Sequence, residues 1–196
     1  MSIVGLDLAG VESRPTGFCI LRSMKAETFL AYANQEILKK TEEIHASIVA
    51  IDAPLSLPPG RKSIEERTGE HLRESDRELL RRRIRFFPIT LGPMRKLTTR
   101  GIQLRHILES MGFKVIEVYP GGAQDVLGIP RKQQGLDKLK AGLENLSIRL
   151  HDSKMTDHEL DAITCAYVGK LFLDGESITH GDPSEGIVMP QNRKRI

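Results

Sequence analysis

Apolar and polar positions divide the chain into short extended stretches, amphipathic stretches and loops. Residues 3 to 9 ("IVGLDLA"), 16 to 22 ("TGFCILR") and 27 to 33 ("ETFLAYA") read as three strands at short spacing, as in an antiparallel meander. Ile37, Leu38 and Ile44 recur at helical spacing across 35 to 46, and "SIVAIDAP" returns to a strand that Pro54 ends. Strands followed by a helix and another strand predict an α/β fold, a mixed sheet with helical cover. "APLSLPPGRK" is a Pro/Gly-rich loop that leads into a charged helix over about 63 to 83, which "FFPITLGPM" breaks. Residues 97 to 111 form a further helix, with Leu104, Ile107, Leu108 and Met111 on one face and Gly112 as its stop. "KVIEVYP" is a strand ended by Pro120, and Leu136, Leu139, Leu143 and Leu146 mark another helix. The last long helix runs from near Asp157 to about Asp174, and Thr156 with Glu159 three residues on forms a capping box at its start. "SITHGDPSEGIVMP" reads as a final hairpin and "QNRKRI" as a frayed basic tail.

Inside this pattern four carboxylates stand where carboxylates need an explanation. The near-continuous apolar run around Asp7 predicts a strand covered on both faces, central in its sheet, with Ile3, Gly5 and Asp7 on one side and Val4, Leu6 and Leu8 on the other. A bare carboxylate is costly to bury there unless it is hydrogen-bonded, paired or bound to a metal. Asp52 ends "IVAID", Glu117 lies in "VIEVY", and Asp161 lies in the second turn of the last helix, in "HELDAITCAYVG". Asp157 is one turn earlier, and like charges at that spacing repel unless something compensates. Each has an ordinary alternative. Asp52 suits an Asp-Ala-Pro turn, Asp157 suits the positive end of the helix dipole, and Glu117 suits a solvated edge. Asp7 and Asp161, set among apolar neighbours, are harder to explain that way. Several such acids at strand ends and on one helix point to convergence on a hard divalent cation such as Mg²⁺.

Composition bounds the rest. The chain has 196 residues, 39% hydrophobic and 28% charged, as expected for an ordinary globular protein. No apolar run is long enough to span a bilayer, and "MSIVGLDLAG" has neither the positive flank nor the cleavage site of a signal peptide, which predicts a cytoplasmic protein. Cys19 and Cys165 lie in apolar stretches and read as free buried thiols. The net charge of +3 says little, but residues 61 to 106 hold thirteen Lys/Arg against six Asp/Glu, a local net of +7. A basic segment on a mildly acidic body points to an anionic partner, with a solvated helical face as the alternative.

Together "VGLDLAG", "AIDAPLSLP", "RESDRELLRRR", "LTTRGIQL", "EVYPGG" and "HELDAITCAYVG" resemble the family called domain of unknown function 429, over nearly the whole chain and in the expected order. That family is regarded as a predicted nuclease with a ribonuclease H-like fold. The resemblance implies three antiparallel strands, a helix and then parallel strands, flanked by helices, in one domain over 1–196 with a basic helical insertion over 54–100. It places acids on the first strand, near the fourth strand and on the last helix, matched here by Asp7, Asp52 and Asp161. "HELDA" resembles the last-helix motif of the Holliday-junction resolvase branch, with His158 as the matching histidine. Glu117 belongs to the family's own "EVYP" signature, with a role in orienting ligands rather than binding metal.

The function expected is hydrolysis of phosphodiester bonds in DNA or RNA. Mg²⁺ or Mn²⁺ would be held by Asp7, Asp52, Asp161 and Asp157, with Glu117 and His158 in the catalytic set. Arg73, Arg77, Arg81, Arg82, Arg83, Arg95 and Arg100 would clamp the phosphate backbone, since guanidinium groups donate bidentately to phosphate. Gly5 and Gly10 would leave room for close approach of the substrate. The alternatives are a sugar-kinase/actin-like phosphotransferase or nucleotide-binding module, whose relatives also begin with Gly-x-Asp on a first strand, and a non-catalytic nucleic-acid-binding protein. Against the phosphotransferase, "GVESRPTG" is a poor phosphate loop and the chain lacks a duplicated second half.

Overall fold

The computed structural model describes residues 1–66, 69–151, 154–182 and 185–191. Most of the tail "QNRKRI" and the centre of the "GDPSEG" turn therefore lie outside the described residues. Eight strands form one sheet: β1 (Ser2–Asp7), β2 (Thr16–Arg22), β3 (Lys25–Ala31), β4 (Ile48–Asp52), β5 (Val115–Val118), β6 (Arg149–Leu150), β7 (Ser177–His180) and β8 (Ile187–Pro190). Their order is β6-β3-β2-β1-β4-β5-β8-β7, so β1 is interior, as its apolar run predicts. β1, β2 and β3 pair antiparallel, while β1, β4, β5 and β8 run parallel. The helices are α1 (Asn34–Ile44), α2 (Glu74–Arg81), α3 (Gly92–Ser110), α4 (Pro120–Leu127), α5 (Leu136–Asn145) and α6 (Asp157–Leu173). Among the described residues no helix is long and apolar enough to cross a membrane.

The period of two along β1 splits the core into two layers. Val4, Leu6 and Leu8 pack with Ile37 of α1 and with Leu104 and Leu108 of α3. Ile3 on the other face packs with Leu160, Ala162, Ile163 and Ala166 of α6. Here small residues bring backbones together. A Cβ on Gly5 would stand 2.1 Å from the Ala162 carbonyl oxygen, and one on Gly17 would stand 2.0 Å from that of His158. Gly5 thus makes room for α6 rather than for a substrate, and a Cβ on Gly10 would stand 3.3 Å from the Leu97 amide nitrogen. This close seat holds the first turns of α6, with His158 and Asp161, against the ends of β1 and β2. Thr156 and Glu159 form the expected capping box, with each accepting from the other's backbone amide.

Three elements depart from the sequence pattern. The helix expected over 63 to 83 is only α2: Gly69 adopts φ +94°, which an α-helix cannot include, and Arg61 folds back onto the carbonyls of Glu66 and Glu70. Between β4 and α3 the described chain is therefore mostly irregular rather than helical. α3 starts five residues before position 97, with Pro93 in its first turn where no amide partner is needed. Pro120 likewise opens α4 instead of merely ending β5. Cys19 and Cys165 are buried free thiols, as expected.

Candidate active site

β1 and β4 are parallel neighbours in register, and their last residues are Asp7 and Asp52, side by side. α6 carries Asp161, buried, and Asp157 and His158 one turn earlier, more exposed. The sheet end thus gathers three aspartates from three elements. Burial, followed by the charges of Asp7 and Asp161, pushes the Asp52 carboxyl well above the usual carboxylate range. Asp7 Oδ2 meets His158 Nδ1 at 2.6 Å. That bond, against some desolvation, raises the imidazole above its ordinary value. Burial raises Asp161 too, although a lysine ammonium works against the shift.

That lysine is Lys132, in the short 3-10 turn Lys132–Gln134. Its Nζ lies 2.8 Å from Asp161 Oδ2 and 3.4 Å from Asp157 Oδ2. It is the compensation that two like charges one helical turn apart require. Desolvation opposes its charge, yet Asp161, Asp7 and Asp157 together raise its pKa above the ordinary lysine value. Asp157 is held below its ordinary value by His158 and Lys132, although its partial burial pushes the other way. Gln124 of α4 donates to Asp161 Oδ1 at 2.8 Å and to the Thr164 hydroxyl at 3.1 Å. Lys132 and Gln124 escaped the sequence reading. The signals present were a basic "PRKQQG" loop after α4 and a Pro in the first position of a helix rather than at a strand stop.

Glu117 sits apart from the aspartates in a buried ion pair. Arg73 Nη1 and Nη2 donate to its two oxygens at 2.7 and 2.8 Å, and the Leu55 amide donates at 2.7 Å. Arg73 also bonds both oxygens of Asp76 and the Ser56 hydroxyl. Every guanidinium donor is used, so the expected phosphate clamp is a tie between the irregular segment and β5. Arg100 is similarly committed, to Asn34 Oδ1 and to the carbonyls of Ala9 and Tyr32. The other arginines lie nearer solvent. Arg77 pairs with Glu70, Arg81 with Glu74, Arg82 with Glu78 and Arg95 with Glu65, while Arg83 is exposed at the end of α2.

The donor chemistry fits a hard divalent cation: Asp7, Asp52, Asp161 and Asp157 offer oxygens only, and the cluster already draws in one ammonium and raises two carboxyls, Asp52 and Asp161. The acids meet through hydrogen bonds and charge and not as a finished coordination shell. Among the described residues no three His, Cys, Asp or Glu side chains are already arranged to hold a metal ion.

A mixed sheet of three antiparallel strands continued by parallel ones, covered by helices on both faces, with acids at the ends of the first and fourth strands and on the last helix, is a ribonuclease H-like fold. The chain belongs to the protein family of unknown function DUF429, whose model matches residues 5–186. Its fold is similar to that of RuvC from Thermus thermophilus. The structure of that protein in complex with a Holliday junction substrate matches with a TM-score of 0.50 and 12% identity, over 89% of this chain and 96% of that one. A second Thermus thermophilus RuvC structure matches with a TM-score of 0.50 and 13% identity, over 89% and 97%. A search of curated proteins brings no match.

Proposed function

We propose that the protein is a divalent-metal-dependent nuclease that hydrolyses phosphodiester bonds in nucleic acid. The observation that carries this reading is the crowding of acids at one sheet end: Asp7 and Asp52 abreast on parallel strands, Asp161 and Asp157 on α6, with the Lys132 ammonium and the His158 imidazole as their partners. Asp7, Asp52 and Asp161, with Asp157 at the rim, are the residues that would hold Mg²⁺ or Mn²⁺. A bound ion of this kind activates water and neutralises charge on the phosphodiester. The chain's own groups do the rest. Gln124 and Lys132 fix the two oxygens of Asp161, and Asp7 orients the His158 ring for proton transfer at the site's open side. The RuvC likeness supports the fold, and the Holliday junction bound in one of those structures makes nucleic acid the natural partner to test.

The test is a panel of single-stranded, duplex and branched DNA and RNA, incubated with Mg²⁺, Mn²⁺ or a chelator, with ATP turnover followed alongside. Metal-dependent cleavage is expected. ATP turnover without cleavage would favour the phosphotransferase instead, and binding without either would favour a non-catalytic binding protein. In the same assay Arg81→Ala, Arg82→Ala and Arg83→Ala combined should flatten the salt dependence of binding, because each lost phosphate contact lowers the slope by about 0.9. Part of that effect is spent already, since Arg81 and Arg82 pair with Glu74 and Glu78.

A further inference from the structure

A cleft of about 260 Å³ opens beside the aspartates, with Asp52 and Asp161 among its lining residues. Most of its wall is apolar or aromatic, which phosphate chemistry alone does not call for. One wall is stiff. The Tyr119 hydroxyl donates to the Arg85 carbonyl at 2.6 Å, and the Arg131 guanidinium lies 5.8 Å from the centre of its ring. The irregular segment adds Phe86 and Phe87 to the lining; Phe87 is 72% exposed, although burial is the rule for so large an apolar ring. Gly121 is part of the lining and leaves Arg131 and Tyr119 their room: a Cβ there would reach 3.1 Å from Arg131 Nη1 and 3.2 Å from the Tyr119 hydroxyl. Lys132 and Arg131 also line the cleft, on the side where a phosphate joined to its occupant would lie.

We propose that this cleft receives one unstacked nucleobase of the nucleic-acid strand whose phosphate lies at the aspartates. This rests on the nuclease reading of the same site. An aromatic lining with Arg131 and Lys132 beside it suits a π-face attached to an anionic backbone, and stacking on aromatic side chains is how proteins hold single bases. A base paired in a helix cannot enter, because its faces are covered by its neighbours and its backbone lies outside. The substrate is thus a single strand, or a helix from which one nucleotide has been extruded.

The experiment uses the full-length protein with Ca²⁺ and single-stranded oligonucleotides carrying one abasic position, walked along the strand. Cleavage of the same strands is measured separately with Mg²⁺ or Mn²⁺. One abasic position, at a fixed distance from the cut, should weaken binding roughly tenfold. Gly121→Leu, which fills the cleft against the movable ends of Arg131 and Tyr119, should bind all members of the series alike. Phe87→Ala, which removes an exposed ring and leaves the core untouched, should reduce the position-specific loss. If every abasic strand binds equally while cleavage proceeds, the base pocket is wrong and the nuclease reading stands. If the loss at one position appears without cleavage under either metal, the nuclease reading falls and the pocket stands. Absence of both binding and cleavage overturns both.

Discussion

Two groups of carboxylates line the same cleft, and they are neutralised in opposite ways. Around Arg73 two carboxylates share one fixed cation and have their hydrogen bonds met: the guanidinium gives all its donors to Glu117, Asp76 and Ser56, and backbone amides of Leu55 and Arg73 complete the set. Around Asp7 four aspartates meet, among the described residues, the Lys132 ammonium and the His158 imidazole, and Asp52 responds by holding its proton to well above the usual range. A carboxylate whose every bond is met by a buried arginine is scaffold. A set with two aspartates abreast, one of them pushed toward its protonated form by burial and by the others, is shaped for a charge from outside. Residue type does not separate the two groups, since both are acids at the ends of strands or helices; the arrangement of partners does.

The largest effect expected from breaking this contrast is on activity. Asp7→Asn removes a charge and an oxygen donor from the unmatched group, and hydrolysis should fall to background. Stability should hold or rise, because the change eases repulsion with Asp52 and Asp161. Activity is read by cleavage and stability by urea unfolding. An unfolded Asp7→Asn protein would make Asp7 a hydrogen-bonded core acid like Glu117.

The mirror experiment acts on the matched group. Arg73→Met leaves Glu117 and Asp76 buried, 6% and 1% exposed, without their cation, and breaking a buried pair this way costs about 3–5 kcal/mol. Glu117→Gln should cost less, because Arg73 keeps Asp76. Urea midpoints for the two variants measure the order. If Arg73→Met is as stable as the parent and loses only nucleic-acid binding, the arginine is a phosphate ligand after all.

How much of this contrast the chain displays in advance depends on the range of each contact. The period of two in "IVGLDLA" and "SIVAID" makes Asp7 and Asp52 legible as acids at strand ends, and "TDHE" makes the start of α6 legible, because these signals are local. Arg73 and Glu117 are 44 residues apart, so no pattern along the chain joins them, and the arginine reads as a surface clamp. Arg100 misleads in the same way: on α3 it looks like a solvated cation, yet it is 6% exposed and satisfied by carbonyls from two distant loops. Lys132 reaches Asp161 from a turn whose position follows only once α4 is seen to begin at Pro120.

A divalent ion should sharpen the contrast by a smaller amount. Any ligand that binds only the folded state stabilises it, by about 2.7 kcal/mol at a hundredfold excess over Kd. Mg²⁺ or Mn²⁺ should therefore raise the melting temperature of the parent more than that of Asp7→Asn, and should raise it equally in the parent and in Glu117→Gln. Equal shifts in the parent and Asp7→Asn would take Asp7 out of the metal site.

Glu78 offers the intermediate case, a carboxylate paired by fixed partners but within reach of solvent, and the smallest effect. The Gly181 amide donates to its Oε2 at 3.0 Å, and His180 Nδ1 lies 3.0 Å from its Oε1, tying α2 to the end of β7. The amide bond first and the His180 contact second hold the Glu78 carboxyl down at about 2. An unfolded glutamate titrates near ~4.3. A folded value below the unfolded one means the contact stabilises fully above that range and loses its contribution as pH falls from about 4.3 toward 2. The urea midpoint of the parent should exceed that of Glu78→Gln by a constant margin from pH 7 down to about 5. The margin should then shrink through the window between the two values, where Glu78 gains a proton in the unfolded chain but still holds its charge in the folded one. A margin that persists unchanged at pH 2.5 would mean that the neutral side chain, and not its charge, fastens α2 to β7.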